Sequence, residues 1–246
     1  MNHTKKVALI TGAGSDFGRD CSMILSQNGY KVVLVDINKE KGEETLNLIR
    51  EKGGESIFVK ANVSIDADVK NYISVAKDTY GQIDLFLNNV GIIQKYDLLQ
   101  DIEEDEFDRL VRVNIKGVFL GLKYVLKVME SQGNGVIINT TSTAGIRSKH
   151  IMSVYSATKH AAVGLTKSAA LEYAKKGIRI YAICQGSVVT GITESIIKYF
   201  EQPGTHIPEE LPDIRISRYA DPQEIAKMIL FLASEGSNYM TGTIIM

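Results

Sequence analysis

The sequence predicts an α/β fold, a doubly wound parallel sheet with helices on both faces in a three-layer sandwich. Three observations predict it. Short apolar runs such as Val7-Ala8-Leu9-Ile10 and Val32-Val33-Leu34-Val35 have the continuous hydrophobicity of strands buried on both sides. They alternate with longer helical stretches, without repeats or low-complexity tracts. The first run opens directly into a glycine-rich turn, Thr11-Gly12-Ala13-Gly14-Ser15-Asp16-Phe17-Gly18. At 246 residues and 44% hydrophobic, the chain is long enough to bury a substantial core and fits one domain over residues 1–246, with no visible linker.

Taken in order, a helix is expected from near Phe17, then a strand Lys31–Val35 ending in Asp36, and a helix from near Lys39. Further strands are expected at Ser56–Val59, Ile83–Leu87, Val136–Asn139 and Ile178–Ile183, with helices from near Asp66, Glu104 and Val154 between them. The last helix has the clearest start. Asp221-Pro222-Gln223-Glu224 offers an acidic N-cap, proline at the first helical position and an acid at the third. A short apolar strand, Thr243–Met246, follows. The stretches Leu110–Met129 and Val154–Tyr173 are apolar around more than one face, including Val118, Phe119, Leu122, Val125, Leu126, Val163, Leu165 and Leu171. Helices of that kind are buried on several sides.

The strand, glycine turn and helix at the amino end read as a Rossmann-type dinucleotide site. Glycines permit positive φ and close approach of backbone to a pyrophosphate, and the following helix presents its N-terminal N–H groups to the phosphate charge. Asp36 lies about twenty residues on, where a carboxylate accepts hydrogen bonds from ribose hydroxyls. It would repel a 2′-phosphate, so NAD is expected rather than NADP.

A second constellation follows Ser142. Tyr155-Ser156-Ala157-Thr158-Lys159 places a phenol and an ammonium four residues apart, on one face of a helix. A fixed cation near the oxygen would lower the phenol pKa from about 10 toward the range of a general acid/base. Alone the spacing is weak, and a surface Tyr-Lys pair would satisfy it.

These motifs together resemble the short-chain dehydrogenase/reductase family over nearly the whole chain. The Thr11–Gly18 turn, Asn88-Asn89-Val90-Gly91, Asn114, Ser142, Tyr155, Lys159 and the stretch Gly186 to Thr190 occur in the family's order. The resemblance implies that Tyr155 is the general acid/base, that Lys159 tunes it and binds the nicotinamide ribose, and that Ser142 bonds the reacting oxygen. Asn114 would hold a water in a proton relay. The same resemblance implies a cofactor site of Gly12, Ser15, Asp16, Phe17, Gly18, Asp36, Ile37, Asn62, Val63, Asn89, Val90, Gly91, Gly186, Val188 and Thr190, together with Tyr155 and Lys159. The substrate would meet Ser142, Ala144, Ile146, Tyr155 and Ser187, with Ile93, Gln94 and His150 on the facing wall. A lid over 187–219, apolar at Ile192, Ile196, Ile197, Tyr199 and Phe200, would close on it. Relatives pair their two long helices across a two-fold axis, implying a homodimer or homotetramer, and usually continue past the last strand.

Four positions depart from the family pattern: Asp16 for a usual glycine, Asn62 for an aspartate, Tyr181 for an asparagine and Gln185 for a proline. Net charge of −1 with interspersed signs gives no footprint for nucleic acid or an anionic membrane. Two cysteines and four histidines without ligand spacing predict no metal and no disulfide framework, hence a cytoplasmic protein. The expected activity is NAD(H)-dependent interconversion of a secondary alcohol and its ketone. The rivals are an NADP-dependent 3-oxoacyl reductase and a non-catalytic nucleotide-binding scaffold.

Overall fold

A computed structural model of the chain describes residues 5–186, 188 and 220–246. Seven strands form one parallel sheet in the order β3-β2-β1-β4-β5-β6-β7. They are β1 (Val7–Thr11), β2 (Lys31–Asp36), β3 (Ser56–Lys60), β4 (Leu85–Asn88), β5 (Gly135–Thr140), β6 (Ile178–Ile183) and β7 (Ile244–Ile245). Order reverses between β1 and β4, which pair with Leu9 opposite Phe86. A parallel sheet leaves its crevice beyond the carboxyl ends of the strands at such a reversal.

The helices are α1 (Asp16–Gln27), α2 (Lys39–Glu51), α3 (Asp66–Tyr80), α4 (Glu104–Leu110), α5 (Gly117–Gln132), α6 (Ser153–Tyr173) and α7 (Pro222–Ala233). Their ends follow local chemistry. Asn38 caps α2 by accepting from the Lys41 N–H, and Gly81 and Gly133 close α3 and α5 in the left-handed region. Asp221 and Glu224 form the capping box expected at α7. Leu9, Val33, Phe86 and Ile137 pack on one face of the sheet with α3 and α5, while Ile10, Leu34, Leu87 and Ile138 pack on the other with α1 and α7.

Two expectations are revised. The stretch from Glu104 to Gln132 contains a π-helical segment, Val111–Lys116, between α4 and α5. The second revision concerns burial within the single chain: Phe119 on α5 is 45% exposed beside buried Val118 and Leu122, and Leu171 on α6 is 84% exposed beside buried Ala170.

A buried polar ladder fixes α6 on the sheet. Asn88 donates to Asn139 Oδ1 at 3.0 Å, Asn139 donates to Thr166 Oγ1 at 2.9 Å, and Thr166 donates to the Ala162 carbonyl. Each amide in this low-dielectric layer is satisfied, so the ladder sets register as well as adding stability. Tyr181, at the usual asparagine position, is fully buried and donates to the Met240 carbonyl at 2.6 Å. It ties β6 to the segment ahead of β7. No helix among the described residues is long and apolar enough to cross a membrane.

Candidate active site

The glycine turn sits at the end of β1. Gly12 has φ +70°, and a Cβ on Gly18 would lie 2.0 Å from the Gly12 carbonyl oxygen, so the turn can close on α1 only with glycine there. Thr11 holds the neighbouring strand end: its hydroxyl oxygen accepts from the Asn89 N–H at 2.9 Å, and the Asn89 amide donates back to the Thr11 carbonyl. Asp16 opens α1 at φ +41°. An aspartate tolerates that left-handed geometry better than most residues, which explains how the fold accepts it in place of glycine.

Asp36 does more than end its strand. Its Oδ2 accepts from the Gly14 N–H at 2.8 Å and its Oδ1 accepts from the Asn38 N–H at 2.9 Å. A Cβ on Gly14 would stand 2.9 Å from that Oδ2, so backbone and carboxylate meet without room for a side chain. Asn62 spends its Oδ1 on the Ser64 N–H and hydroxyl, shaping the entry to α3.

At the other end of the same cleft lie Tyr155 and Lys159, both from the first turns of α6 and both buried. Tyr155 is hydrogen-bonded with Ser142. Lys159 Nζ donates to the Thr140 carbonyl at 3.3 Å and stands 5.7 Å from the centre of the Tyr155 ring. The expected lowering of the phenol pKa is not what this geometry gives. Burial pushes Tyr155 up to about 12, with the Ser142 hydrogen bond pulling the other way, and burial pushes Lys159 down to about 8. The reason is placement: the ammonium lies over the ring and against a carbonyl, so desolvation outweighs charge attraction at the oxygen.

Asn114 lies behind this pair. Its Oδ1 accepts from the Ile92 N–H, and its amide donates to the Ile92 carbonyl and to Thr158 Oγ1. The π segment turns it there, since an extra residue in a helical turn rotates the side chains that follow.

Residues 6–199 match the model of the short chain dehydrogenase family. The chain belongs to that family. It is 38% identical to levodione reductase of Leifsonia aquatica over 98% of this chain and 92% of the relative. Identity to cyclohexanol dehydrogenase of Acinetobacter sp. (strain SE19) is 36%, over 97% of this chain and 91% of that one. The crystal structure of levodione reductase superposes with a TM-score of 0.90 over 99% of this chain and 96% of that one. That of NAD+-bound xylitol dehydrogenase, 30% identical, gives 0.91 over 100% and 97%.

In this short-chain dehydrogenase the cleft measures about 350 Å³. It gathers Gly12, Ser15, Asp16, Phe17, Gly18, Asp36, Ile37, Asn62, Val63, Asn89, Val90 and Gly91 with Tyr155 and Lys159. Glycines that no Cβ could replace, a carboxylate at one end and a phenol and ammonium at the other fit the nicotinamide dinucleotides that the family binds. Not every expected residue joins them. Gly186 is exposed and outside the lining, whereas Val188 is buried and bridges to Ala220. Ala144 packs against Tyr155, Val154 and Leu110, but Ile146 packs on Val163, Ala182 and Cys184. His150 is exposed, and Gln94 is buried with its amide turned onto α6. Ser187, Thr190 and the expected lid, apart from Val188, lie outside the described residues.

The structure adds lining residues that the motifs did not single out, Val35, Ala61, Ile92, Val113, Thr140 and Thr141, and it places Gln185, the departure from the usual proline, in the same lining. Thr140, Thr141 and Gln185 follow a simple rule that would have found them, because they stand at or just past the carboxyl ends of β5 and β6. Val113 had no such signal; it depends on the π segment.

Proposed function

We propose that this oxidoreductase interconverts a secondary alcohol and its ketone with NAD(H), and that residues 1–246 act as one catalytic domain. The observation that carries the reading is that one cleft holds Asp36 at one end and, at the other, the buried Tyr155 beside Ser142 and Lys159. Bound nicotinamide would supply the hydride acceptor or donor. Tyr155, protonated near neutrality because burial raises its pKa, gives a proton to the ketone oxygen in reduction. Ser142 hydrogen-bonds the same oxygen and orients it. A proton from solvent would return to the phenol through Lys159 and a water held by Asn114, and Ala144, Val154 and Ile93 keep other water from the reacting centre.

Asp36 supports NAD over NADP, since a carboxylate already bonded to two backbone N–H groups retains lone pairs for ribose hydroxyls and opposes a 2′-phosphate. The apolar surroundings of Tyr155 support a neutral, cyclic or medium-chain ketone, in keeping with the names of levodione reductase and cyclohexanol dehydrogenase. The lid of 187–219 belongs to this proposal, as does pairing of α5 and α6 with a second copy through exposed Phe119 and Leu171.

The test assays the parent and Tyr155→Phe on cyclic ketones, polyols and anionic oxo acids with both cofactors. Turnover of the variant should fall by roughly 10²- to 10⁴-fold with NADH binding unchanged. Wild-type turnover in the variant would remove Tyr155 from the chemistry. A preference above tenfold for polyols or anionic substrates would overturn the apolar class.

A further inference from the structure

The loop that follows β4 is tied down residue by residue. Asn114 grips both backbone groups of Ile92, Arg109 Nη2 donates to the Ile93 carbonyl at 2.9 Å, and the Lys95 N–H donates to Glu106 Oε1 at 3.1 Å. Those three anchors come from α4 and the π segment. Gln94, between them, points the other way. It is 2% exposed; its Oε1 accepts from the Tyr155 N–H at 2.7 Å and its Nε2 donates to the Ile151 carbonyl at 3.1 Å.

Two features of α6 explain what that amide does. The helix begins after Met152 without any side-chain cap, so the N–H of Tyr155, its third residue, is one of the donors a helix leaves unpaired. Ile151, just ahead, has φ +52°, a left-handed conformation that a β-branched residue holds only when its surroundings impose it. Gln94 bonds to both places at once. It caps the helix from a distant loop and pins the carbonyl of the strained residue, in an apolar setting of Val154, Met152 and Ile93 where an amide hydrogen bond is strong.

We infer that Gln94 is a positioning residue for Tyr155, a two-point clamp that sets the start of α6, and with it the phenol, against the loop bordering the cofactor cleft. This rests on the reading of Tyr155 as the proton-handling group. The charged groups beside the clamp include Lys95, next to Gln94 in the chain, Lys159 on α6, and Glu106 and Arg109 on α4, the latter two paired with each other at 2.7 Å. A lost clamp moves the phenol relative to Ser142 and Lys159, so it changes the chemical step and the phenol's titration, whereas the dinucleotide end of the cleft stays as it is.

The experiment compares Gln94→Met, Gln94→Glu and Tyr155→Phe in the full-length protein, using cyclohexanone and NADH as probes. Methionine keeps the length and removes both hydrogen bonds. Expected for Gln94→Met is a loss in kcat of about 10- to 100-fold, the range that a misplaced catalytic group costs, with KM for NADH within about twofold. The alkaline limb of its kcat profile should also shift, which a loss of stability alone would not produce. A protonated carboxyl at 94 can accept from the Tyr155 N–H and donate to the Ile151 carbonyl, as the amide does. Gln94→Glu should therefore recover most of kcat at low pH and lose it as the introduced carboxyl ionises.

A Gln94→Met enzyme with wild-type kcat and an unshifted pH limb, beside an inactive Tyr155→Phe, would overturn the clamp and leave the role of Tyr155 standing. Turnover retained in Tyr155→Phe would overturn both. Should Gln94→Met fail to fold, Gln94→Glu decides alone: a kcat profile identical to the parent's across the pH range rejects the proposal.

Discussion

Two side chains at the heart of the cleft are held against their own preference. Lys159, fully enclosed, has its pKa pushed down from 10.5 to about 8, so between those values the unfolded chain binds the proton that the native protein has released. Its burial therefore costs stability fully below pH 8, and the cost fades as pH rises toward 10.5. Tyr155 has the opposite sign: raised from 10.0 to about 12, its stabilising contribution is present below pH 10 and lost as pH climbs toward 12. Lys159→Met should accordingly raise stability at pH 7 by roughly 1–3 kcal/mol while abolishing turnover, with the gain shrinking by pH 10. Thermal unfolding of both proteins at the two pH values checks this. A variant less stable than the parent at pH 7 would mean that the Lys159–Thr140 contact outweighs the desolvation.

At the scale of elements, the turn after β1 and the end of β2 work as one unit. Asp36 fixes Gly14 on one side and the start of α2 on the other, so its carboxylate is already oriented before any ribose meets it. NADH should bind at least about tenfold tighter than NADPH, in line with a carboxylate that favours a 2′-hydroxyl. Asp36→Ser should narrow that gap, and it should also weaken NADH itself because the Gly14 N–H loses its acceptor. Fluorescence titration with both cofactors measures both effects, and equal affinities in the parent would exclude this role. The π segment makes a similar point about elements. Its sequence, Val-Arg-Val-Asn-Ile-Lys, carries no breaker or cap, yet it is what turns Asn114 onto Ile92 and Thr158.

For the whole molecule, two of the exposed large apolar residues, Phe119 and Leu171, lie on the two helices that the family resemblance pairs with a second copy, while others such as Leu99, Phe231 and Tyr239 lie elsewhere. Phe119 on α5 is 45% and Leu171 on α6 84% exposed, so both are accessible to the second copy that the proposed assembly requires. Size-exclusion chromatography with light scattering should give a dimer or tetramer for the parent. The double substitution Phe119→Glu with Leu171→Glu should reduce the assembly order while circular dichroism stays native. A monomeric parent would assign both residues to ordinary exposed surface.

The order of strands and helices, the glycine turn, Asp36 and the Ser142–Tyr155–Lys159 set were all legible in the sequence, because each is dictated locally: apolar runs, positive-φ glycines, caps and helical spacing act between residues close along the chain. Strand ends were off by a residue or two for the same reason, since pairing partners such as Asn88 with Asn139 decide where a ladder stops. What the tertiary structure alone decided is the burial and direction of those side chains. The i,i+4 spacing of Tyr155 and Lys159 predicted their shared face but neither that the ammonium would turn to the Thr140 carbonyl nor that burial of the phenol would raise its pKa. Likewise nothing in the run Ile92-Ile93-Gln94-Lys95 tells that its amide caps a helix sixty-one residues away. Desolvation and long-range hydrogen bonds depend on what the rest of the chain packs around a group, and that is settled only when the sheet and both helical layers have closed.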